Sequence, residues 1–191
     1  MVILAALASL GLALLAGFAG VLTQVPMPLI AVRVWGGVAL LLGIYLGAPS
    51  RRRWASGLHP GWMAACHAWR VLPGVAFLWL CGTGVLPARF GVPAGIGELS
   101  VGLTAPLAGF VLGAATLRRR RILAAWHALG LAELLQLMGS GIALHLAGDQ
   151  LIDSMSRFPM FLLPLFAIPV TLAVHVLAAF GLLSRHVGES R

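Results

Sequence analysis

Four charged side chains fall inside stretches that are otherwise apolar: Arg33, Arg70, Glu98 and Glu133. His67, His127, His145 and His175 fall in such stretches as well. A buried guanidinium and carboxylate can pair, hold a small polar solute between them, or pass a proton. Neutral imidazoles ligate zinc, iron or copper, and two of them on facing helices can hold a b-type haem. No HExxH, CxxC or His-rich tract accompanies these residues, so no standard metal motif is present. Ser140 lies in Gly139-Ser140-Gly141, with His145 five residues on. On one helix that offset points the two side chains apart, which argues against a serine nucleophile. No catalytic residue is assigned on this evidence.

The surroundings decide what those residues mean. Of 191 residues, 60% are hydrophobic and 9% charged, and the mean hydropathy is +1.00. A soluble domain carries about 25% charged residues. Runs of about 20 apolar residues are needed to cross a bilayer, and six such runs use most of this chain. The spans expected are 2–22, 28–48, 62–86, 92–117, 122–147 and 159–184. The expectation is therefore an all-α, polytopic membrane protein, a bundle of six transmembrane helices forming a single domain over 1–191. Residues 1–22 lack a basic segment before their apolar core, so they read as the first span and not as a signal peptide.

The net charge is +8, and all basic residues are arginine. Arg51, Arg52, Arg53, Arg118, Arg119, Arg120, Arg121, Arg185 and Arg191 fall on one side of the expected bundle. Only Arg89 and Arg157 fall on the other. Basic loops stay in the cytoplasm, which gives both termini inside and explains the charge without nucleic acid. Trp54, Trp62 and Trp126 sit near the cytoplasmic span ends, as interfacial anchors do. Cys66 and Cys81 are 15 residues apart in one helix, roughly 22 Å along its axis, too far for a disulfide. Pro73, Pro106, Pro164 and Pro169 predict bends that could shape a cavity.

Helical spacing gives directions. Gly91, Gly95, Glu98, Gly102, Ala105 and Gly109 recur at steps of three and four and make a small-residue face that lets helices approach closely. Arg33, Gly36, Leu40, Gly43 and Gly47 predict a similar face in the second span. Glu133, Gln136 and Ser140 share a face in the fifth span, and His67, Arg70, Gly74 and Cys81 share one in the third. Arg33 and Glu98 both lie roughly 8–9 Å below the outer surface, while Arg70 and Glu133 lie roughly 12 and 16 Å from the inner one. Two buried pairs are expected, Arg33–Glu98 and Arg70–Glu133. Such pairs can also serve helix register alone.

His67, His127 and His175 fall in the inner third of three different spans. His145 has no evident histidine partner near the outer surface, which argues against two stacked haems. Weak internal echoes link Arg33-Val-Trp-Gly-Gly-Val to Arg70-Val-Leu-Pro-Gly-Val, and Gly95-Ile-Gly-Glu98-Leu to Gly130-Leu-Ala-Glu133-Leu. Inverted repeats with a midplane site produce that kind of pattern in transporters.

The segments GVPAGIGELSVGLTAP, WHALGLAELL and PMFLLPLFAIPVTLAVHVL resemble small multi-span bacterial inner-membrane proteins. The resemblance covers about the last half of the chain. It implies an inner-membrane location, acids at Glu98 and Glu133 and a histidine at His175, with His127 a departure. It implies no activity. The size is also similar to that of six-span substrate-binding subunits of vitamin importers, without a motif for them.

Three readings follow. The first is small-solute or proton handling at a buried site between helices, with Arg33, Arg70, Glu98, Glu133, Gln136 and His175 lining it. The second is a haem or metal redox protein using His67, His127 or His175. The third is a non-catalytic subunit whose glycine-rich faces bind a second copy or another membrane chain. The lipid bilayer is the partner common to all three.

Overall fold

A computed structural model describes residues 27–50, 53, 57–112, 116–157 and 160–188, together with Gly11 and Leu15. Among these residues the chain is helical, with no strand. Helix α1 spans Met27–Leu46. A continuous rod follows: α2, Pro60–Ala65, then a 3-10 stretch, Cys66–Arg70, then α3, Val71–Gly82. Helix α4 spans Ala88–Leu112 and α5 spans Leu117–Leu146. A 3-10 turn, Gln150–Ser156, and a π-helical stretch, Leu163–Ala167, lead into α6, Ile168–Gly188.

Three helical stretches are long and apolar enough to cross a membrane: Pro60–Gly82, Ala88–Val111 and Leu117–Leu146. Val32–Ile44 and Leu163–Ala179 are shorter apolar helices. The expected span 2–22 lies outside the described residues, apart from Gly11 and Leu15.

The breaks and irregularities have local causes. Gly84 adopts φ +74°, and the amide of Val85 reaches back to the Leu80 carbonyl at 2.9 Å, a glycine-terminated helix end. Gly148, at φ +79°, ends α5 in the same way, with the Asp149 amide on the Leu144 carbonyl. Pro73 lacks an N–H and crowds the carbonyl four residues earlier, at Trp69. The tightened 3-10 stretch lies immediately before it. Pro164 lies in the first turn of the π-helical stretch and Pro169 two residues past its end, disturbing the helix for the same reason.

Two expectations about boundaries are corrected. Arg118 to Arg121 do not form a loop but the first turn of α5. Thr116 caps that helix by accepting from the Arg119 amide at 3.3 Å, and arginine is a good helix former. Likewise the corner between the third and fourth spans is Thr83–Pro87, and Arg89 and Phe90 already belong to α4.

From the α2–α3 rod to α6, helices consecutive in the chain run antiparallel, whereas α1 and α6 pack parallel, Gly37 beside Pro169 and Leu41 beside Leu177. One end is packed by Ala64, Ala108, Leu123 and Leu182, drawn from α2, α4, α5 and α6. The other is packed by Leu86, Phe90, Ile152, Met155 and Met160. The face of α4 read as a packing seam is one: Gly91, Gly95, Glu98, Gly102, Ala105 and Gly109 are all buried. A Cβ on Gly102 would lie 2.6 Å from the Val71 backbone nitrogen, and one on Gly74 would lie 3.1 Å from the Gly95 carbonyl. The backbones of α3 and α4 thus touch where both lack side chains. The stripe on α1 is corrected. Arg33, Gly36, Leu40 and Gly43 face outward, and Val34 and Val38 are buried instead. Bulky β-branched residues bury more apolar area than glycine, and they hold α1 against α6, where Pro169 meets Gly37.

Candidate functional site

The 3-10 stretch is the organising element. At three residues per turn, positions i and i+3 eclipse, so His67 and Arg70 project in one line. Both are buried, Arg70 completely. Arg70 then meets two carboxylates from two different helices. Its Nε donates to Glu98 Oε2 at 2.6 Å, and its Nη2 donates to Glu133 Oε2. Gly97 makes room for the second contact, since a Cβ there would lie 2.6 Å from Glu133 Oε1. Arg70 Nη1 and Glu133 Oε1 have no hydrogen-bond partner.

One turn towards the Arg-rich end, three imidazoles pack together. His67 and His175 are stacked at 4.0 Å between ring centroids, 13° from parallel. His127 meets His175 edge-on, and their Nδ1 atoms share a hydrogen bond of 2.9 Å. Each of the three is 1% exposed. Gly130 admits the His175 ring, because a Cβ at that position would lie 2.5 Å from its Cε1. Trp126 closes one side with its ring 5.0 Å from His127 and 5.7 Å from His67. Its indole N–H donates to Thr104 Oγ1 at 3.0 Å.

Set against the sequence, the arrangement keeps some residues and displaces others. Arg70 and Glu133 pair as expected. Arg33 and Glu98 do not: the Arg33 side chain is exposed, and Glu98 completes the Arg70 cluster. Depth matching selects Arg33 when the span is counted from residue 92; α4 starts at Ala88, which sets Glu98 ten residues, about 15 Å, into the helix. Gln136 is also displaced and faces outward. The buried face of α5 is Leu123, His127, Gly130, Leu134, Leu137 and Gly141. Glu133 lies about 80° from its centre and Gln136 about 140°, at 100° per residue. His67, His127 and His175 do come together, and His175 joins this group and not the Arg70 cluster. Trp126, half-buried, forms a wall of the imidazole cluster, whereas Trp62 is exposed.

Two polar pairs at the opposite end were not foreseen. Arg89 donates to Asp149 at 2.6 Å, and His145 meets Asp153 at 3.0 Å. The Arg89 hydrogen bond holds the Asp149 carboxyl below the ordinary aspartate range. Ser140 donates to the Leu137 carbonyl of its own helix, and His145 is engaged with Asp153, so the two form no nucleophile–base pair. Cys66 and Cys81 are free thiols.

No curated protein and no solved structure matches the chain. One family does match, over residues 28–183, a range that holds Arg70, Glu98, Glu133 and all three clustered histidines. The chain belongs to the family described as Domain of unknown function (DUF8737).

Proposed function

We propose that this is a six-span protein of the bacterial inner membrane that handles protons at Arg70, Glu98 and Glu133. The observation that carries the reading is the ratio of charges around Arg70. Two carboxylates share one fully buried guanidinium. With both ionised, one negative charge is left over in a low-dielectric interior, where an uncompensated charge costs several kcal/mol, of order 3–5. Binding one proton removes it. Glu133 is the better carrier, because its Oε1 has no partner while Oε2 holds Arg70. Handling an anionic solute is less well supported, since Arg70, the one buried arginine among the described residues, is already engaged by two acids.

The orientation belongs to the same proposal. The Arg-rich end of α5 faces the cytoplasm, and Arg89 and Asp149 face the opposite side.

The test is proton flux into liposomes that contain the purified protein and an entrapped pH dye, under an imposed membrane potential. Flux above that of protein-free liposomes is expected, with loss in Glu133→Gln. An infrared carboxylic C=O band present in the wild type and absent from that variant would locate the proton. A wild-type flux equal to that of empty liposomes would overturn the reading.

A further inference from the structure

We propose that His67, His127 and His175 form a site for one transition-metal ion of the Zn2+, Co2+, Ni2+ or Cu2+ class. The inference rests on observations separate from the Arg70 cluster. Each neutral imidazole has one N–H donor and one acceptor nitrogen. Of the six ring nitrogens, two are used in the His127–His175 hydrogen bond. The other four, both of His67 and the Nε2 of His127 and of His175, are buried without a partner. Histidines that merely fill space would be expected to satisfy those atoms, because buried polar groups nearly always are satisfied. A metal ion would take one nitrogen from each of the three rings.

Geometry and donor type point the same way. One nitrogen from each ring can be chosen so that all lie within 4.8 Å of one another. Metal–nitrogen bonds of about 2.0–2.1 Å place tetrahedral ligands about 3.3 Å apart. Ring rotation closes that difference, opening the His127–His175 hydrogen bond and the His67–His175 stack. Three nitrogen donors favour borderline metals over Mg2+ or Ca2+, which take oxygen. Among the described residues no fourth His, Cys, Asp or Glu joins the group, so one coordination position stays open for water or a small ligand. A haem suits the site less well. Axial imidazoles face each other across a macrocycle, whereas His67 and His175 lie ring on ring at 4.0 Å.

The experiment uses the full chain, purified with a histidine-free tag and stripped with a chelator. Titration with Co2+ and Zn2+ should show one ion bound per chain. The Co2+ form should have the intense visible absorption of a four-coordinate site, and Co2+ should quench fluorescence that is lost in Trp126→Phe. Glutamine replacements at His127 and His175 preserve bulk and hydrogen bonding, and folding is checked by circular dichroism. Together they should weaken binding at least about 100-fold, more than loss of an outer-shell partner does. His145→Ala should leave binding unchanged. Less than a tenth of an ion per chain, a weak six-coordinate spectrum, or binding undiminished in the double variant would overturn the site. None of these readouts depends on proton flux, so the two proposals fail separately.

Discussion

At the scale of single residues, Arg70 is the side chain on which the others depend. It is fully buried and holds two acids brought by α4 and α5. Arg70→Met would leave two buried carboxylates without a cation, at an expected loss of about 3–5 kcal/mol. Adding Glu98→Gln and Glu133→Gln to that variant should recover most of the loss, since replacing a whole buried ionic group is often neutral. Unfolding of the wild type and these two variants in detergent measures both effects, and a triple variant no more stable than Arg70→Met would show that the charges are not coupled. The pairing of Arg70 with Glu133 was legible because a long side chain spans their difference in depth. The claim of Glu98 on the same arginine was not. Its depth, counted from a helix start four residues too late, matched Arg33, which the packing of α1 by Val34 and Val38 turns outward. The echo between the two glutamate segments acquires a meaning here, as both acids reach one guanidinium, while the echo between the arginine segments does not.

At the scale of elements, two glycine stripes that look alike in the sequence behave differently. The one on α4 meets the backbone of the α2–α3 rod, and the one on α1 meets nothing. Spacing reveals a stripe of small residues but not whether a neighbour lies against it, because glycine is permissive both at close contacts and on open surface. Substitution separates the cases. Gly102→Ala places a methyl 2.6 Å from the Val71 backbone nitrogen, an atom that cannot move without the helix. It should cost about 1–3 kcal/mol, as overpacking does, and should disturb the Arg70–Glu98 contact one turn away. Gly43→Ala has nothing within 4 Å and should instead gain up to about 1 kcal/mol from helix propensity. Thermal unfolding of the two variants beside the wild type decides it, and equal effects would mean that the α4 seam is not the tight contact. The 3-10 stretch is the other element that spacing could not deliver. An α-helical reading put His67 and Arg70 on one face, but their eclipse into a single line comes from the tightening beside Pro73.

At the scale of the molecule, helix length and charge together support the orientation proposed above. Helix α5 has 30 residues, about 45 Å at 1.5 Å per residue, against a hydrocarbon core of about 30 Å. About 15 Å of helix must therefore lie outside that core, and the four consecutive arginines of its first turn are the part best suited to water and headgroups. The antiparallel packing carries the consequence through the bundle. The Ala64, Ala108, Leu123 and Leu182 end goes with those arginines, and the three histidines lie about 6 Å further in, one turn past Leu123. Glu133 is another 9 Å deeper, six residues beyond His127, so an ion entering from the Arg-rich side meets the imidazoles before the carboxylates. Single cysteines in a Cys66→Ser, Cys81→Ser background test the orientation. Gln150→Cys, beside Asp149, should react with a membrane-impermeant maleimide on intact cells. Leu117→Cys, at the start of α5, should react only after the membrane is opened. Reversed labelling would invert the bundle and put the imidazole cluster near the outer surface. Labelling of both positions from one side would mean that Leu117–Leu146 does not cross the membrane.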